Sequence, residues 1–340
     1  MPQQTLDVYG YARGILLPSL GLRNHPFAVH LPEPGGTASY VVKITVERAP
    51  SVLVRFFTRR GRARRNALAL QHLERLGLPA PRLRVTDTNM INPLLRRDGQ
   101  PRYATAESWI EGIRAVEAPD EEEAAVMVAR VLARYHSVSR SRWGRPEGLP
   151  EVRPYHMATL GLVMRMIRDL STGGVISHED AGLAQSRFGA WKGALMKLGT
   201  FHLVHNDASR CNFIISGEKK NKEVFPIDVQ RISYEPCSEE VANAIYHFCR
   251  SNDLLASKFL EAYLGAATPS CRETWNRTGE FFSALNMLKR LHHRTCTFRG
   301  AGTEPLDESD PRISEWKEIF LSLPRPPLIW PEPGSSPPAT

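Results

Sequence analysis

The segment LVHNDASRCNFIIS at 203–216, followed by VFPIDVQR at 224–231, decides the fold and the chemistry of this chain. It contains a His-x-Asp-x-x-x-x-Asn sequence that ends at Asn212, then an apolar strand-like stretch, and then Asp228. In phosphoryl transfer, an aspartate such as Asp207 can accept the proton of an attacking hydroxyl group. Asn212 and Asp228 offer hard oxygen ligands of the kind that Mg²⁺ takes while it bridges nucleotide phosphates. The residue types and their spacing therefore predict a phosphoryl-transfer site.

The first third of the chain is predicted to form antiparallel strands and one helix. Its candidate strands are short, rich in β-branched or aromatic residues, and separated by Gly or Pro. They are FAVHLPE at 27–33, YVVKITVE at 40–47, SVLVRFF at 51–57, and a further extended pair around 83–87 and 103–110. Between them, NALALQHLERLG at 66–77 has the apolar spacing of a helix and a glycine at its end. For the first three strands, which are joined by residues 34–39 and 48–50, an antiparallel meander is the simplest arrangement.

After Gly112 the pattern becomes helical. Segment 119–138 opens with Pro and acidic residues, which favour a helix start. Further helices are predicted at 156–170, 179–198, 239–251 and 279–293, and short apolar segments interrupt them at 201–205 and 225–228. Residues 322–340 are rich in proline and are predicted to form an extended tail. The whole pattern predicts an α+β chain with a small strand-rich lobe and a larger helical lobe.

The composition argues against several classes of protein. With 340 residues, 42% hydrophobic and 24% charged, the chain is long enough for two domains or one large bilobal unit. It has no run of about 18 apolar residues, so no membrane span is expected. Its first residues, MPQQTLDVYG, do not resemble a secretory signal. The five cysteines form no Cys-x-x-Cys pair, which argues against a disulfide framework or zinc ribbon and fits a reducing cytoplasm.

The net charge of +8 and the pI near 9.4 raise the question of a nucleic-acid partner. Residues 1–110 hold 16 Lys and Arg against 7 Asp and Glu, so the excess belongs to the first third of the chain. Its densest part is the run Arg59–Arg65. No aromatic residues alternate with these arginines to stack on bases, so no nucleic acid is expected. We interpret the run as a solvated cluster that also attracts an anionic nucleotide.

The opening segment resembles the aminoglycoside phosphotransferase and choline kinase family of small-molecule kinases. That family has H-G-D-x-x-x-x-N or H-N-D-x-x-x-x-N, and this chain has His205-Asn206-Asp207 with Asn212. The segment at 228–230 is similar to the family's D-[WF]-[EGQ], with Val in the usual aromatic place. The resemblance extends over roughly residues 30–250.

The resemblance implies a bilobal protein-kinase-like fold of the α+β class, with a small antiparallel-sheet N-lobe and a larger helical C-lobe. The implied segments are an N-lobe at 1–106, a hinge at 107–112, a C-lobe at 113–321 and the tail at 322–340. ATP and Mg²⁺ are the implied cofactors, and a small molecule with a hydroxyl group is the implied acceptor. Asp207 would be the catalytic base, His205 would brace the loop, and Asn212 and Asp228 would hold Mg²⁺.

The nucleotide contacts in the first lobe follow from the same resemblance. Gly35 and Gly36 resemble the family's phosphate-covering turn, where backbone N–H groups could approach the nucleotide. Arg55 falls where the family has a Lys or Arg on the third strand. Lys43 is the competing cation. The sequence V-V-K-I around it is superficially similar to V-A-I-K, which in protein kinases carries the lysine that contacts the nucleotide phosphates. Arg55 is preferred, since the helix predicted at 66–77 follows it, as a helix follows the corresponding cation in the family.

The connector ATAESWIEG at 104–112 resembles the family's hinge. Backbone groups of about Ser108 and Ile110 would then meet the adenine. An ordinary edge strand is the alternative for this segment.

One departure from the family pattern leaves a second function open. Counted back from Gly77-Leu78-Pro79, the glutamate that normally pairs with the strand-three cation is Asn66 here. A neutral amide can hydrogen-bond a guanidinium but cannot neutralise it. The alternative to a kinase is therefore a nucleotide-binding pseudokinase or scaffold without transfer activity.

Three other features are not predicted to be chemical sites. His292, His293 and Cys296 do not make a tetrahedral metal set without further ligands. His136 resembles the end of a family helix and is expected to pack. Nothing near Cys211 in the sequence argues for a lowered thiol pKa.

Overall fold

The computed structural model describes residues 7–30, 40–87, 96–97, 100–101, 103–146, 151, 153–217, 221–249, 252–297 and 311–324. The chain divides into two compact units. The first takes in the residues up to Val128 together with His205–Ile232, and the second takes in Ala129–Val204 together with the residues from Ser233 onward. The lobe boundaries implied by the resemblance stay predictions.

The strands follow the chain in this order: β1 Phe27–His30, β2 Tyr40–Val46, β3 Ala49–Phe57, β4 Leu83–Asp87, β5 Arg96–Arg97, β6 Gln100–Pro101, β7 Tyr103–Ser108, β8 Ile113–Arg114, β9 Ser139–Arg140, β10 Phe201–Val204, β11 Phe213–Ser216, β12 Glu223–Pro226 and β13 Ser233–Glu235.

The helices follow in the same way: α1 Val8–Tyr11, α2 Leu17–Ser19, α3 Arg60–Arg75, α4 Glu121–His136, α5 Tyr155–Thr172, α6 His178–Ala190, α7 Lys192–Met196, α8 Cys237–Cys249, α9 Asp253–Ala266, α10 Pro269–His292 and α11 Pro311–Leu321. None of the helices within the described residues has the length and apolar character needed to cross a membrane.

An antiparallel sheet dominates the first unit. Its strand order is β1-β2-β3-β7-β4, with every neighbouring pair antiparallel, as the sequence predicts. A second sheet of this unit, β12-β11-β8, contains the hairpin β11–β12 that follows the predicted loop. Together with the helices of the second unit, these sheets confirm the α+β class.

The two faces of the large sheet have different chemistry, because side chains alternate along a strand. One face carries Val42, Ile44, Val54 and Phe56, which form a core with the N-terminal segment 8–19. That segment, two short helices joined by a π-helical turn, was not predicted from the sequence. The opposite face carries Arg55 and its cross-strand partner Thr105.

Helix α3 begins earlier than predicted. It starts at Arg60 instead of residue 66, so most of the Arg59–Arg65 run lies on the helix and not before it. Arginine is a good helix former, and Ala63 and Asn66 already lie on the buried face of α3. The helix ends as predicted near Gly77, whose φ of 64° closes a Schellman turn with Leu78 N–H donating to Leu73 O.

The second unit is mainly helical, with three differences from the prediction. The helix predicted at 179–198 is two helices, α6 and α7, that meet at the buried Trp191. The helix predicted at 279–293 begins ten residues earlier, where Thr268 caps its N-terminus and Pro269 takes the first position. Helices α9 and α11 were not predicted at all. Most of the predicted tail at 322–340 lies outside the described residues.

Candidate active site

A buried ion pair lies on the polar face of the large sheet. Arg55 on β3 donates from Nε to Glu107 Oε1 on β7 at 2.6 Å. The two side chains are only 7% and 2% exposed. Arg55 pairs directly with Thr105 in the strand register, so Glu107 lies diagonally opposite the arginine on the same face. The sheet itself therefore sets the geometry of this ion pair.

The same arginine connects the sheet to the segment that follows β12. Arg55 Nη1 lies 3.5 Å from Asp228 Oδ1. Burial alone would lower the pKa of Arg55, but the carboxylates of Glu107 and Asp228 more than offset it, so the net pKa is raised. The guanidinium is therefore held charged between two carboxylates.

Helix α3 approaches this network through a neutral side chain. Asn66 is fully buried, and its Nδ2 donates to Thr105 Oγ1 at 3.0 Å. The negative charge that balances Arg55 therefore comes from Glu107 on β7. The side-chain amide of Asn66 on α3 bonds to Thr105 of the same strand.

The loop His205-Asn206-Asp207 follows directly after β10. Asn206 has φ of 64°, in the left-handed region that asparagine and glycine tolerate better than other residues. This backbone requirement gives a physical reason for Asn at the middle of the His-x-Asp sequence. The Asn206 side chain donates from Nδ2 to Arg231 O at 3.3 Å.

His205 connects the loop to the segment that follows β12. Its ring is buried, and Nε2 lies 2.8 Å from the carbonyl oxygen of Ile227, the residue before Asp228. The imidazole also packs on the ring of Phe213, with centroids 5.8 Å apart. His205 thus ties the loop to the segment that carries Asp228.

Asp207 and Asn212 are joined by a hydrogen bond within the loop. Asn212 Nδ2 donates to the backbone oxygen of Asp207 at 2.9 Å. Because the amide nitrogen is engaged, the Asn212 Oδ1 is the atom left to accept or to ligate. The Asp207 carboxylate is about one-third exposed, with Oδ2 3.8 Å from Arg231 Nη1.

Asp228 also has a left-handed backbone, with φ of 61°. Such a conformation costs energy for an aspartate and is typical of functional turns. Its Oδ1 accepts from Gln230 Nε2 at 3.0 Å. The hydrogen bond from Ile227 N–H to Asn212 O, at 2.8 Å, sets Asn212 next to the residue that precedes Asp228.

The predicted metal ligands fit a magnesium ion by the chemistry of their free atoms. Asn212 offers an amide oxygen and Asp228 a carboxylate that is 29% exposed, and Mg²⁺ prefers such hard oxygens supplemented by water and phosphate. Beside Asp228, the buried Oε1 of Gln230 meets no hydrogen-bond partner among the described residues. Water or a bound group can satisfy an unpaired buried acceptor of this kind.

The remaining predicted nucleotide contacts have different outcomes. Gly35 and Gly36 lie outside the described residues. Ser108 ends β7, and its amide donates to Arg82 O at 2.8 Å. Ile110 lies beyond the strand, just before Gly112, where an added Cβ would lie 2.3 Å from Ile215 O. Only glycine fits that close approach.

The competing cation, Lys43, makes other contacts. Its Nζ lies 3.0 Å from Glu111 Oε1 and 4.3 Å from the ring centre of Trp109. Arg55, by contrast, joins Asp228. The contacts therefore favour Arg55 as the strand-three cation.

The residues set aside in the sequence take ordinary structural positions. His136 is buried between Tyr263 and Glu240, with ring nitrogens 2.7 and 3.0 Å from them. His292 Nε2 lies 2.9 Å from Asp169 Oδ2. Cys211 is exposed.

Sequence reasoning missed Glu107, Thr105 and Gln230. A signal for Glu107 existed, because a glutamate inside the apolar strand YATAES must find a cation if that strand is buried. Its partner could not be named without the register of β3 against β7.

Comparison with known protein families finds a match over most of the chain. Residues 19–281 match the model of the phosphotransferase enzyme family. Among curated protein sequences, none matches the chain significantly.

Solved structures similar to this chain have the same fold at low sequence identity. Aminoglycoside phosphotransferase APH(4)-Ia is 13% identical with a TM-score of 0.61, covering 92% of this chain and 98% of that one. A thermostable mutant of that enzyme has been solved as a ternary complex with ADP and hygromycin B. A putative fructosamine-3-kinase from Haemophilus somnus 129PT is 11% identical, with a TM-score of 0.58 and coverages of 92% and 97%. A choline/ethanolamine kinase family protein from Mesorhizobium loti is 15% identical, with a TM-score of 0.55 and coverages of 92% and 94%.

Proposed function

We propose, since this chain belongs to the phosphotransferase enzyme family, that it is a kinase which transfers the γ-phosphate of ATP to a hydroxyl group of a small molecule. The observation that carries the proposal is the network of Arg55, Glu107 and Asp228 in the same compact unit as the His205-Asn206-Asp207 loop. It supplies a fixed cation for phosphates, a carboxylate for a metal and a partly exposed carboxylate for a hydroxyl.

Asp207 is proposed as the base. Its carboxylate is exposed enough to meet a hydroxyl group, and the hydrogen bond from Asn212 to its backbone oxygen holds the loop in place. The aspartate orients the acceptor oxygen for in-line attack and takes its proton as the new P–O bond forms. His205 keeps the loop against Ile227 and acts by positioning.

Asn212 and Asp228 are proposed to hold Mg²⁺ with their free oxygens. When held there, the ion would neutralise the negative charge that develops on the phosphate during transfer. Arg55 is proposed to bind the α- and β-phosphates with guanidinium N–H groups, while its Nε stays bonded to Glu107.

The pseudokinase alternative rested on Asn66, the neutral residue in place of the helix carboxylate. The buried Glu107 supplies a counter-charge at Arg55, so Asn66 does not leave the cation without a partner. This contact supports an active kinase over a scaffold.

The test is an ATP-consumption screen across amino alcohols, sugars and aminoglycosides, with Asp207→Asn as the blank. Removing the base or the metal carboxylate should lower kcat by about 10³-fold or more in Asp207→Asn and Asp228→Ala. Cooperative thermal unfolding and an unchanged circular-dichroism spectrum would show that both variants fold. Full turnover in both variants would overturn the mechanism. Stabilisation by Mg-ATP without transfer to any acceptor of the panel would favour the pseudokinase.

A further inference from the structure

A second group of polar and charged side chains lies in the other compact unit, where α8 packs against α10. It consists of Asn243, Tyr246, His247, Arg290 and Arg294. The first three lie on α8, and Arg290 lies in the last turn of α10. Arg294 lies in the π-helical turn His293–Thr297 that continues α10. The kinase chemistry proposed above uses none of these residues.

The guanidinium of Arg290 is held in one orientation by three side chains of α8. Its Nη2 donates to Asn243 Oδ1 at 2.9 Å and lies 3.1 Å from His247 Nε2. Its Cζ lies 3.4 Å from the centre of the Tyr246 ring, within the range of a cation–π contact. Because an arginine can only donate, His247 accepts through Nε2 and is neutral in this contact. All three contacts orient the guanidinium, and none of them neutralises its charge.

Arg290 differs from two other basic residues of the same turn, because no carboxylate of the described residues pairs with it. Lys289 is paired with Glu239, and His292 Nε2 lies 2.9 Å from Asp169 Oδ2. The helix dipole explains why basic residues occur at the end of α10. It does not explain why this partly buried arginine has neutral partners, since burying a charge without a counter-charge is unfavourable.

The electrostatics of Arg290 are the opposite of those at Arg55. Burial lowers the pKa of Arg290 to about 10, and the positive charge of Arg294 acts in the same direction. At Arg55 burial acts in the same way, but two carboxylates more than offset it. The buried Nε of Arg290 also meets no hydrogen-bond partner among the described residues. A bound anion would stabilise a cation that has an unused donor and a like charge beside it.

We propose that Arg290 and Arg294 bind an oxyanion, the phosphate or carboxylate group of a small molecule. Guanidinium groups form charge-assisted hydrogen bonds with both kinds of oxyanion. Arg294 is exposed, so the anion has access to the pair from solvent. The side chains of α8 already hold Arg290, so its ordering adds little to the entropic cost of binding. The anion supplies the counter-charge that the described part of the chain does not.

The test uses the full chain in a buffer of low ionic strength without other oxyanions. Isothermal titration calorimetry with sodium phosphate, and separately with sodium malonate, measures the two affinities. We expect saturable binding, and the anion that binds more tightly identifies the group as phosphate or carboxylate. Arg290→Gln should weaken binding by about 10–100-fold, because it removes charge-assisted hydrogen bonds. The exposed Arg294→Gln should weaken it by about 2–5-fold.

Two control variants show where the anion binds. Arg277→Gln makes the same change in another arginine of α10, whose Nη2 lies 2.6 Å from Glu273 Oε1, and should bind like the wild type. Arg55→Ala removes the arginine proposed to bind nucleotide phosphates, and the site at Arg290 should survive this change. Loss of all anion binding in Arg55→Ala, with wild-type affinity in Arg290→Gln, would assign the anion to the candidate active site and refute the proposal.

A chemical readout on the wild-type chain keeps the test independent of how well the variants fold. Phenylglyoxal modifies arginine side chains, and mass spectrometry of peptides locates the modified residues. We expect the bound anion to slow the modification of Arg290 and Arg294 and to leave that of Arg277 unchanged. Equal protection of all three arginines, or none at Arg290 and Arg294, would overturn the proposal. Absence of saturable binding of both anions would do the same, as would equal affinities in Arg290→Gln and Arg277→Gln.

Discussion

Replacing Glu107 by glutamine tests the central contact of the proposed active site. The substitution keeps the size of the side chain and one acceptor oxygen but removes the negative charge next to Arg55. If the buried ion pair positions Arg55 for nucleotide phosphates, Glu107→Gln should reduce both the stability of the fold and the use of ATP.

The expected size follows from the burial and the distances. Removing one partner of a buried pair costs about 3–5 kcal/mol, because the other charge is left without compensation. Here Asp228 Oδ1 remains 3.5 Å from Arg55 Nη1, and glutamine still accepts a hydrogen bond from Nε. We therefore expect the lower end, about 3 kcal/mol in the free energy of unfolding. For a domain of 150–250 residues this corresponds to about 6–12 °C in Tm.

The effect on ATP follows from the position of the guanidinium. Without the charge of Glu107, the carboxylate of Asp228 attracts the Arg55 guanidinium more strongly than the neutral glutamine at position 107 does, and the guanidinium shifts toward this proposed metal ligand. A loss of about 1.4–2.8 kcal/mol in phosphate positioning lowers kcat/KM for ATP by about 10–100-fold. Thermal unfolding and steady-state kinetics at varied ATP measure the two effects separately.

Glu111→Gln is the matched control, because it makes the same chemical change in an exposed pair. Glu111 bonds to Lys43 at 3.0 Å but is 75% exposed, and exposed ion pairs contribute about 0–1 kcal/mol. If Glu107→Gln changes Tm and kcat/KM no more than Glu111→Gln, the buried pair has neither role and the reasoning is refuted.

Three further sets of substitutions test other parts of the candidate site. Asn206→Gly should retain stability and kcat, whereas Asn206→Ala should lose about 1 kcal/mol or more of unfolding free energy because of the positive φ, as measured by denaturant titration. Arg55→Ala should raise the KM for ATP much more than Lys43→Ala does in steady-state assays. The reverse order would assign the phosphate-binding role to Lys43. Asn66→Ala should lower the unfolding free energy by about 1–3 kcal/mol, through the buried Thr105 hydroxyl it leaves unpaired, yet raise the KM for ATP less than Glu107→Gln.

The loop and its spacing could be predicted because their geometry is local. Asp207 and Asn212 are five residues apart, and one side-chain hydrogen bond to the backbone sets their relation. An asparagine at position 206 indicates a positive φ, since few other residues adopt a positive φ without cost. The antiparallel sheet was predicted for the same reason, from short segments that are rich in β-branched or aromatic residues and separated by Gly or Pro.

Contacts between distant segments could not be predicted in the same way. Arg55 and Glu107 are 52 residues apart, and whether they meet depends on the register of β3 against β7. The start of α3 was misplaced because the prediction rested on the apolar spacing within 66–77, and the arginines before it, which are unfavourable to the helix dipole, carry no signal of a helix start. Burial of the apolar face of α3 outweighs that unfavourable charge, and no sequence pattern states by how much.

Placing the counter-charge on the sheet changes what holds the cation. In the family that this chain resembles, the partner of the strand-three cation is a glutamate of the following helix. Here both members of the pair lie on adjacent hydrogen-bonded strands, so the register of β3 and β7 maintains the contact. Helix α3 is fastened at this point by the neutral bond from Asn66 to Thr105, whose net contribution is about 1 kcal/mol. A displacement of α3 would break that weak bond and leave the buried ion pair intact, so the arrangement of Arg55 depends on the sheet more than on the helix.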